Sequence, residues 1–408
     1  MTQNNALKKI KKEGKSGINK IRILHYLFKL GKASVHQVCT AIQLSAPTTL
    51  ALLSELVNDS WVEKKGLGNS NGGRKPDLFG MAAGKFYILC INIELFTVHI
   101  SLFDNTLAPQ GKTVAIPYSL SKDRESFQSV LKQAKELVKN SNIPQEKLAG
   151  VSMCLPGLTN PETGENFGYL TDNNDTRPLR DYCAAFFKVP VIIQNDVNAA
   201  ALSELHCGKA KGKKNALVLL MDWGVGLGII MDGEVRKGAS GFSGEIGHIP
   251  FEDNGALCYC GKHGCLETVA SGVALAKMAK EGIAAGQHSI LKELSNQELE
   301  KIEPRLIVEA ANKGDLFAIK LLSNVGSNIG KSISTLIQIF NPELIIMEGR
   351  IAAAGEYITL PMLQSINTYC MLQIREKTEI VSSDLGISAN LLGCAVEGVN
   401  HFFEEHTK

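Results

Sequence analysis

The stretch HIPFEDNGALCYCGKHGC, residues 248–265, sets His248, Cys258, Cys260 and Cys265 on one short segment. Four borderline or soft ligands at this spacing suit a tetrahedral structural Zn²⁺. Gly255, Gly261 and Gly264 let the backbone turn tightly around an ion. The bland alternative is a loop of reduced cysteines with a histidine nearby. It leaves the compact Cys-x-Cys plus Cys spacing unexplained. Glu245 lies just before the stretch and Glu267 just after it. Acidic groups on both flanks make the metal loop read as scaffolding for a polar ligand.

Outward from this loop, the body of the chain alternates strands and helices. FYILCINIE (86–94) and VHISLFD (98–104) are consecutive strand-like runs, and a helix is expected from about Arg124 to Lys139. LAGVSMCLPG (148–157) is a strand, and VPVIIQND (189–196) is a strand running into a helix. NALVLLMDWGVGLGIIMDGEV (215–235) reads as a strand, a Gly-rich turn and a second strand. LIQIFNPELIIMEGR (336–350) reads as a helix, a turn at Asn341-Pro342 and a buried strand. Alternation of this kind predicts an α/β body. Asn195-Asp196 ends a buried strand, where α/β sheets place ligand groups, although a plain helix cap would also explain the pair.

The N-terminal region has a different character. Residues 1–80 hold 13 basic and 5 acidic residues, a charge of +8, against +2 for the whole chain. Such a division points to a polyanion partner for this module alone. Ile18, Ile21, Leu24, Leu27 and Phe28 recur at helical spacing up to Gly31. Ser34 can cap a second helix carrying Val35, Val38 and Ile42. Ser45 can cap a third, with Pro47 in its first turn and Leu50, Leu53, Leu56 and Val57 as its buried stripe. Two short strands, at Trp61-Val62 and Leu78-Phe79, would then flank a basic Gly/Asn-rich loop. These features together predict a winged helix-turn-helix. Its third helix would enter a major groove with Thr48, Thr49 and Ser54 near base edges. Arg74 and Lys75 on the wing would suit a narrow minor groove. A winged helix used for protein contacts is the alternative, and the charge excess weighs against it. Lys8, Lys9, Lys11 and Lys12 read as a disordered arm.

The chain has 408 residues, 44% hydrophobic and 21% charged, enough for two or three domains of an ordinary soluble protein. It has no apolar run long enough to span a membrane and no secretory h-region. The remaining cysteines, Cys39, Cys90, Cys154, Cys183, Cys207, Cys370 and Cys394, are scattered, as in a reduced cytoplasmic protein.

GEIGH (244–248) followed by CxCGxxGCLE (258–267) resembles the signature of the ROK family of repressors, open reading frames and sugar kinases. The resemblance extends over roughly residues 86 to 400 and is carried by a long, specific motif. It implies a winged helix-turn-helix (1–80) followed by a two-lobed actin-like, ribonuclease-H-like ATPase fold with a zinc-bearing loop. The lobes would cover 81–198 and 199–408, with the C-terminal helix packing back on the first. It also implies one zinc on His248, Cys258, Cys260 and Cys265, and a sugar held by Asn195, Asp196, Glu245, His248 and Glu267. In the family's kinases the residue matching Asp196 is the general base.

The phosphate-binding parts depart from that pattern. A DxGGTK-like turn is replaced by Asn92-Ile93-Glu94-Leu95-Phe96-Thr97, and the second phosphate loop carries Asp222 and Trp223. Arg350 stands where the family has a glycine near the adenosine. The resemblance therefore implies a transcriptional regulator with operator DNA, a sugar or sugar-phosphate effector, a homodimeric or homotetrameric state and a vestigial base. An ATP-dependent sugar kinase with an appended DNA module is the enzyme alternative. A regulator controlled by a sugar-transport protein is a third reading.

Overall fold

The computed structural model describes residues 5–69, 75–172 and 175–407. The chain forms two compact units, Met1–Asp196 with Leu391–Lys408, and Val197–Asn390.

The first unit opens with α1 (Asn5–Lys11) and α2 (Lys15–Leu30). The lysine run expected to be a disordered arm is therefore helical over its first part. Leu7 and Ile10 are buried, which fixes α1 on the module. Gly17 permits the close crossing, since a Cβ there would lie 1.8 Å from the Ile10 carbonyl oxygen. Next come β1 (Ala33–Ser34), α3 (Val35–Ile42) and α4 (Ala46–Asn58). Ser34 Oγ accepts from the Gln37 amide while the Gln37 side chain accepts from the Ser34 amide, a reciprocal cap. Ser45 caps α4 through the Thr48 amide, with Pro47 in the first turn. Each cap contributes about 1 kcal/mol. β2 (Val62–Leu67) and β3 (Asp77–Met81) join β1 in an antiparallel sheet of order β1-β3-β2.

The stripe expected on α4 is rotated. Thr49, Leu52, Leu53 and Leu56 are buried, whereas Leu50 is 51% exposed. Leucines occupy both candidate faces, and packing against α2 and α3 selects the one that includes Thr49.

The same unit continues with β4 (Tyr87–Ile93), β5 (Thr97–Asp104), β6 (Val114–Pro117), α5 (Gln128–Asn140) and β7 (Leu148–Leu155). After the small hairpin of β8 (Thr159–Asn160) and β9 (Glu165–Asn166) come α6 (Leu179–Phe187) and β10 (Val191–Asn195). The five-stranded sheet has the order β10-β7-β4-β5-β6, with β10, β7 and β4 parallel. α5 starts after Arg124, contrary to expectation. Asp123 carboxylate oxygens accept from the Glu125 and Ser126 amides, and Arg124 turns inward. Its guanidinium donates to the carbonyls of Leu170, Asp175 and Arg177.

α7 (Asp196–Cys207) leads into the second unit, which carries β11 (Ala216–Met221), β12 (Val225–Met231) and β13 (Glu234–Val235). α8 (Glu267–Ala270), α9 (Gly272–Ala284), α10 (Leu291–Leu294), α11 (Pro304–Asn312) and α12 (Leu316–Phe340) follow. Then come β14 (Leu344–Glu348), α13 (Glu356–Tyr369), α14 (Leu372–Arg375) and β15 (Glu379–Ser382). The sheet order is β13-β12-β11-β14-β15. Its core joins strand residues Leu219 and Met347 to Leu291, Ile302 and, on either flank of the cysteine-bearing loop, Ile246 and Leu266. α15 (Ala389–Thr407) belongs from Leu391 to the first unit. There Phe402 lies 4.2 Å from Phe86 between ring centroids, and Phe403 stacks on His25 at 5.4 Å. No helix among the described residues is long and apolar enough to cross a membrane.

Candidate functional site

The second unit gathers the His/Cys set. The ligand atoms of His248, Cys258, Cys260 and Cys265 all lie within 4.8 Å of one another. Cys258 Sγ is 3.6 Å from His248 Nδ1, and Cys260 Sγ is 3.7 Å from Cys265 Sγ. Ligands about 2.0–2.3 Å from a tetrahedral zinc stand roughly 3.5–3.8 Å apart, the spacing of these two pairs. The loop holds this arrangement by its own backbone. Cys258 N donates to Lys262 O, and the amides of Phe251 and Glu252 donate to Gly264 O. Gly264 has φ +70°, and a Cβ there would strike the Glu252 carbonyl oxygen at 1.9 Å.

His248 presents Nδ1 to the cysteines. Its Nε2 lies 2.8 Å from the Tyr259 hydroxyl and 3.9 Å from Glu245 Oε2. A histidine that ligates through one nitrogen is oriented by the partner of the other, and here the second nitrogen has the Tyr259 hydroxyl within hydrogen-bond distance. Sequence reasoning passed over Tyr259, although it sits between two of the cysteines. Burial raises the Glu245 carboxyl above its ordinary value. Glu267 opens α8, and a Cβ on Gly247 would stand 2.7 Å from its Oε2. The second unit thus brings Glu245, His248 and Glu267 into one neighbourhood.

Asn195 and Asp196 end the first unit's sheet. Asn195 pairs in register with Leu155, and Asn92 with Cys154, so the ends of β10, β7 and β4 lie side by side. Asn195 Nδ2 donates to Gly157 O at 3.1 Å. Cys154 Sγ donates to Asn92 Oδ1 at 3.2 Å, and Asn92 Nδ2 donates to Glu94 Oε1 at 3.2 Å. His99 Nε2 stands 3.6 Å from Glu94 Oε1. The β4–β5 turn is closed by Glu94 N donating to Thr97 O.

The corresponding turn in the second unit, Asp222-Trp223-Gly224, is also internally bound. Arg350 Nη1 donates to Asp222 Oδ1 at 2.5 Å. The first amides of α9 are taken up locally. Gly272 N donates to Asp222 O, Val273 N to Trp223 O, Ala274 N to Ser271 Oγ and Leu275 N to Ser271 O. Sequence reasoning treated Asp222 and Arg350 as separate departures. Their mutual pairing carries no local signal.

In the N-terminal module Thr48 and Ser54 are exposed on α4. Thr48 Oγ1 lies 2.7 Å from Ser45 Oγ, and Ser54 Oγ donates to Leu50 O. Thr49, expected near base edges, is fully buried and cannot reach a groove. Lys75 is exposed, and Arg74 lies outside the described residues.

The family model described as "ROK family" matches residues 107–396. The chain belongs to the ROK family. It is 29% identical to a xylose repressor of Caldicellulosiruptor bescii, over 92% of this chain and 94% of that protein. It is 35% identical to a glucokinase of Halalkalibacterium halodurans, over 60% of this chain and 74% of the enzyme. A solved ROK transcriptional regulator, described as a homologue of the Escherichia coli MLC protein, matches 96% of this chain and 99% of its own. The TM-score is 0.78 at 24% identity, a likeness of fold. The ROK domain here is thus an α/β domain like those of the family's sugar kinases and repressors, preceded by the α1–β3 module.

Proposed function

We propose that this chain is a sugar-responsive DNA-binding transcriptional regulator, a repressor of carbohydrate uptake or metabolism, whose kinase-derived sensor has lost phosphoryl transfer. One observation carries the reading. A basic helical module is joined to a ROK domain in a chain that matches a xylose repressor over nearly its whole length. The module acts as a winged helix-turn-helix. α4 enters a major groove with Thr48 and Ser54 toward the bases, and Lys75 and Arg74 approach the minor groove from the wing. A homodimer or homotetramer matches a two-fold operator. His248, Cys258, Cys260 and Cys265 hold one structural Zn²⁺, which fixes the His248 ring and its neighbours. Asn195, Asp196, Glu245, His248 and Glu267 bind the hydroxyls of a sugar or sugar phosphate. A missing hydroxyl leaves them unpaired at about 1–3 kcal/mol each.

Loss of phosphoryl transfer is supported by the two turns. Helix N-termini bind phosphate through unsatisfied amides. The first amides of α9 already have acceptors, and the Asp222–Arg350 ion pair ties up the turn beside them. Glu94 adds a carboxylate at the other turn. Retention of Asp196 and the 35% identity to a glucokinase favour a second reading, an active sugar kinase. Thermal shift across pentoses, hexoses and amino sugars tests the sensor. One sugar at about 100 Kd should stabilise the protein by roughly 2.7 kcal/mol. Asp196→Ala and Glu245→Ala should abolish that shift while DNA binding persists. ADP release from Mg·ATP and the same sugar, at turnover near ~1–10³ s⁻¹, would put the kinase reading first.

A further inference from the structure

We infer that α1 and the turn after it form a phosphate-backbone clamp on duplex DNA, separate from the recognition helix and the wing. The inference rests on the DNA-binding reading above and adds to it the element that supplies the charge. α4 has the sequence APTTLALLSELVN, with no lysine or arginine and one carboxylate, Glu55. A helix of that composition can read base edges but cannot neutralise phosphates, which supply much of the affinity. Two wing lysines are engaged internally, Lys64 with Asp77 at 2.8 Å and Lys65 with Glu63.

The α1 segment is the reverse case. Lys8, Lys9, Lys11, Lys12 and Lys15 fall within eight residues and, among the described residues, enter no ion pair. The one acid among them, Glu13, is bound by Lys20 at 2.6 Å. Lys20 is 4% exposed and also binds Glu55 of α4 at 2.8 Å. That buried ammonium ties the α1–α2 turn to the recognition helix and quenches the carboxylate of each. Leu7 and Ile10 face inward, so Lys9 and Lys12 stand exposed, flanked by half-exposed Lys8 and Lys11. With Leu7 and Ile10 consumed by packing, α1 offers no large apolar side chain to lipid. Its free chemistry is cationic and repeats at i, i+1, i+3 and i+4, which suits a row of phosphates.

The test uses the full chain, a labelled mixed-sequence duplex of about 30 base pairs and salt between about 50 and 200 mM, followed by anisotropy. The variant K8Q/K9Q/K11Q/K12Q should make the slope of log K against log[salt] less steep by about 2–4, at ~0.9 per lost contact. The duplex consensus selected in vitro should stay the same. The variant K8R/K9R/K11R/K12R should keep the wild-type slope. A glutamine variant whose slope moves by less than ~0.9 overturns the clamp while leaving the DNA-binding reading intact. Wild-type protein that binds no duplex at all removes that reading and the clamp with it. A changed consensus would mean that α1 reads bases, and would also overturn the inference.

Discussion

The two sheets of this molecule share one plan. In each, the first three strands run antiparallel and two more add in parallel beside the first, as β6-β5-β4-β7-β10 and as β13-β12-β11-β14-β15. Their first hairpin turns differ in sequence and agree in outcome. The turn after β4 places Glu94 against Asn92 and His99. The turn after β11 places Asp222 against Arg350, and its carbonyls bind the leading amides of α9. In both, a carboxylate sits at a turn and finds its partner within its own unit. Both turns are bound up within their own unit. The difference lies in the means, a neutral amide with a nearby imidazole in one case and a guanidinium ion pair in the other. The second unit also carries the His/Cys loop, a cluster that the described residues of the first unit do not repeat.

That contrast can be broken experimentally. The largest effect is expected from Cys265→Ser. The variant should lose its bound metal by elemental analysis and lower the stability of the second unit by about 3–5 kcal/mol. Calorimetry should show the first unit's transition unmoved. Arg350→Ala comes next, because it leaves Asp222 partly buried without its guanidinium. Denaturant unfolding should register about 1–3 kcal/mol, and the double variant with Asp222→Asn should recover part of it. Glu94→Gln keeps an acceptor for Asn92 and should cost less than about 1 kcal/mol. If Glu94→Gln proved the more damaging of the two, the ranking of the turns would be reversed.

The smallest effect concerns pH and the first unit alone. Burial lowers the His25 imidazole below its usual value, against the opposing hydrogen bond with Asn400. The unfolded chain therefore takes up this proton first as pH falls. The stability associated with neutral His25 is present above about pH 6.5 and is lost as pH drops through the lower folded value. His401 works in the other direction. Its hydrogen bond with Glu405 raises it, so its contribution is present below about pH 6.5 and lost as pH rises. His25→Phe, which preserves a ring against Phe403, should remove the decline on the acidic side. The remaining profile should favour lower pH, by less than about 1 kcal/mol.

What the sequence made legible was local. The caps at Ser34 and Ser45, the strand–turn–strand runs and the His/Cys spacing are each written within a few neighbouring residues. What it hid was long-range. Arg124 reads as a helix start because nothing nearby reveals the carbonyls it serves about fifty positions later. Asp222 and Arg350 are 128 residues apart. The rotated stripe on α4 has another cause. Leucines fall on two adjacent faces, so periodicity allows either, and a threonine with a methyl group can be buried where a reader expects it to face a ligand. The helical start of the lysine run depends on two apolar side chains and one glycine across the crossing, too little for any periodic signal. For the candidate site, His248, Cys258, Cys260 and Cys265 were readable as a set that the fold brings together. Tyr259 and the grouping of Glu267 with Gly247 required the folded loop.

The return of α15 to the first unit has a consequence for how the protein is made. A ribosome supplies residues in order, at about 5–20 per second. The second unit, Val197–Asn390, is fully synthesised before the last segment appears. The first unit, although it leads the sequence, stays unfinished until Phe402 and Phe403 can close on Phe86 and His25. Birth order and completion order are therefore opposite. A premature stop that removed only the final turns of the chain would strip the packing from beside α2. The damage would fall on the end of the protein that was synthesised first.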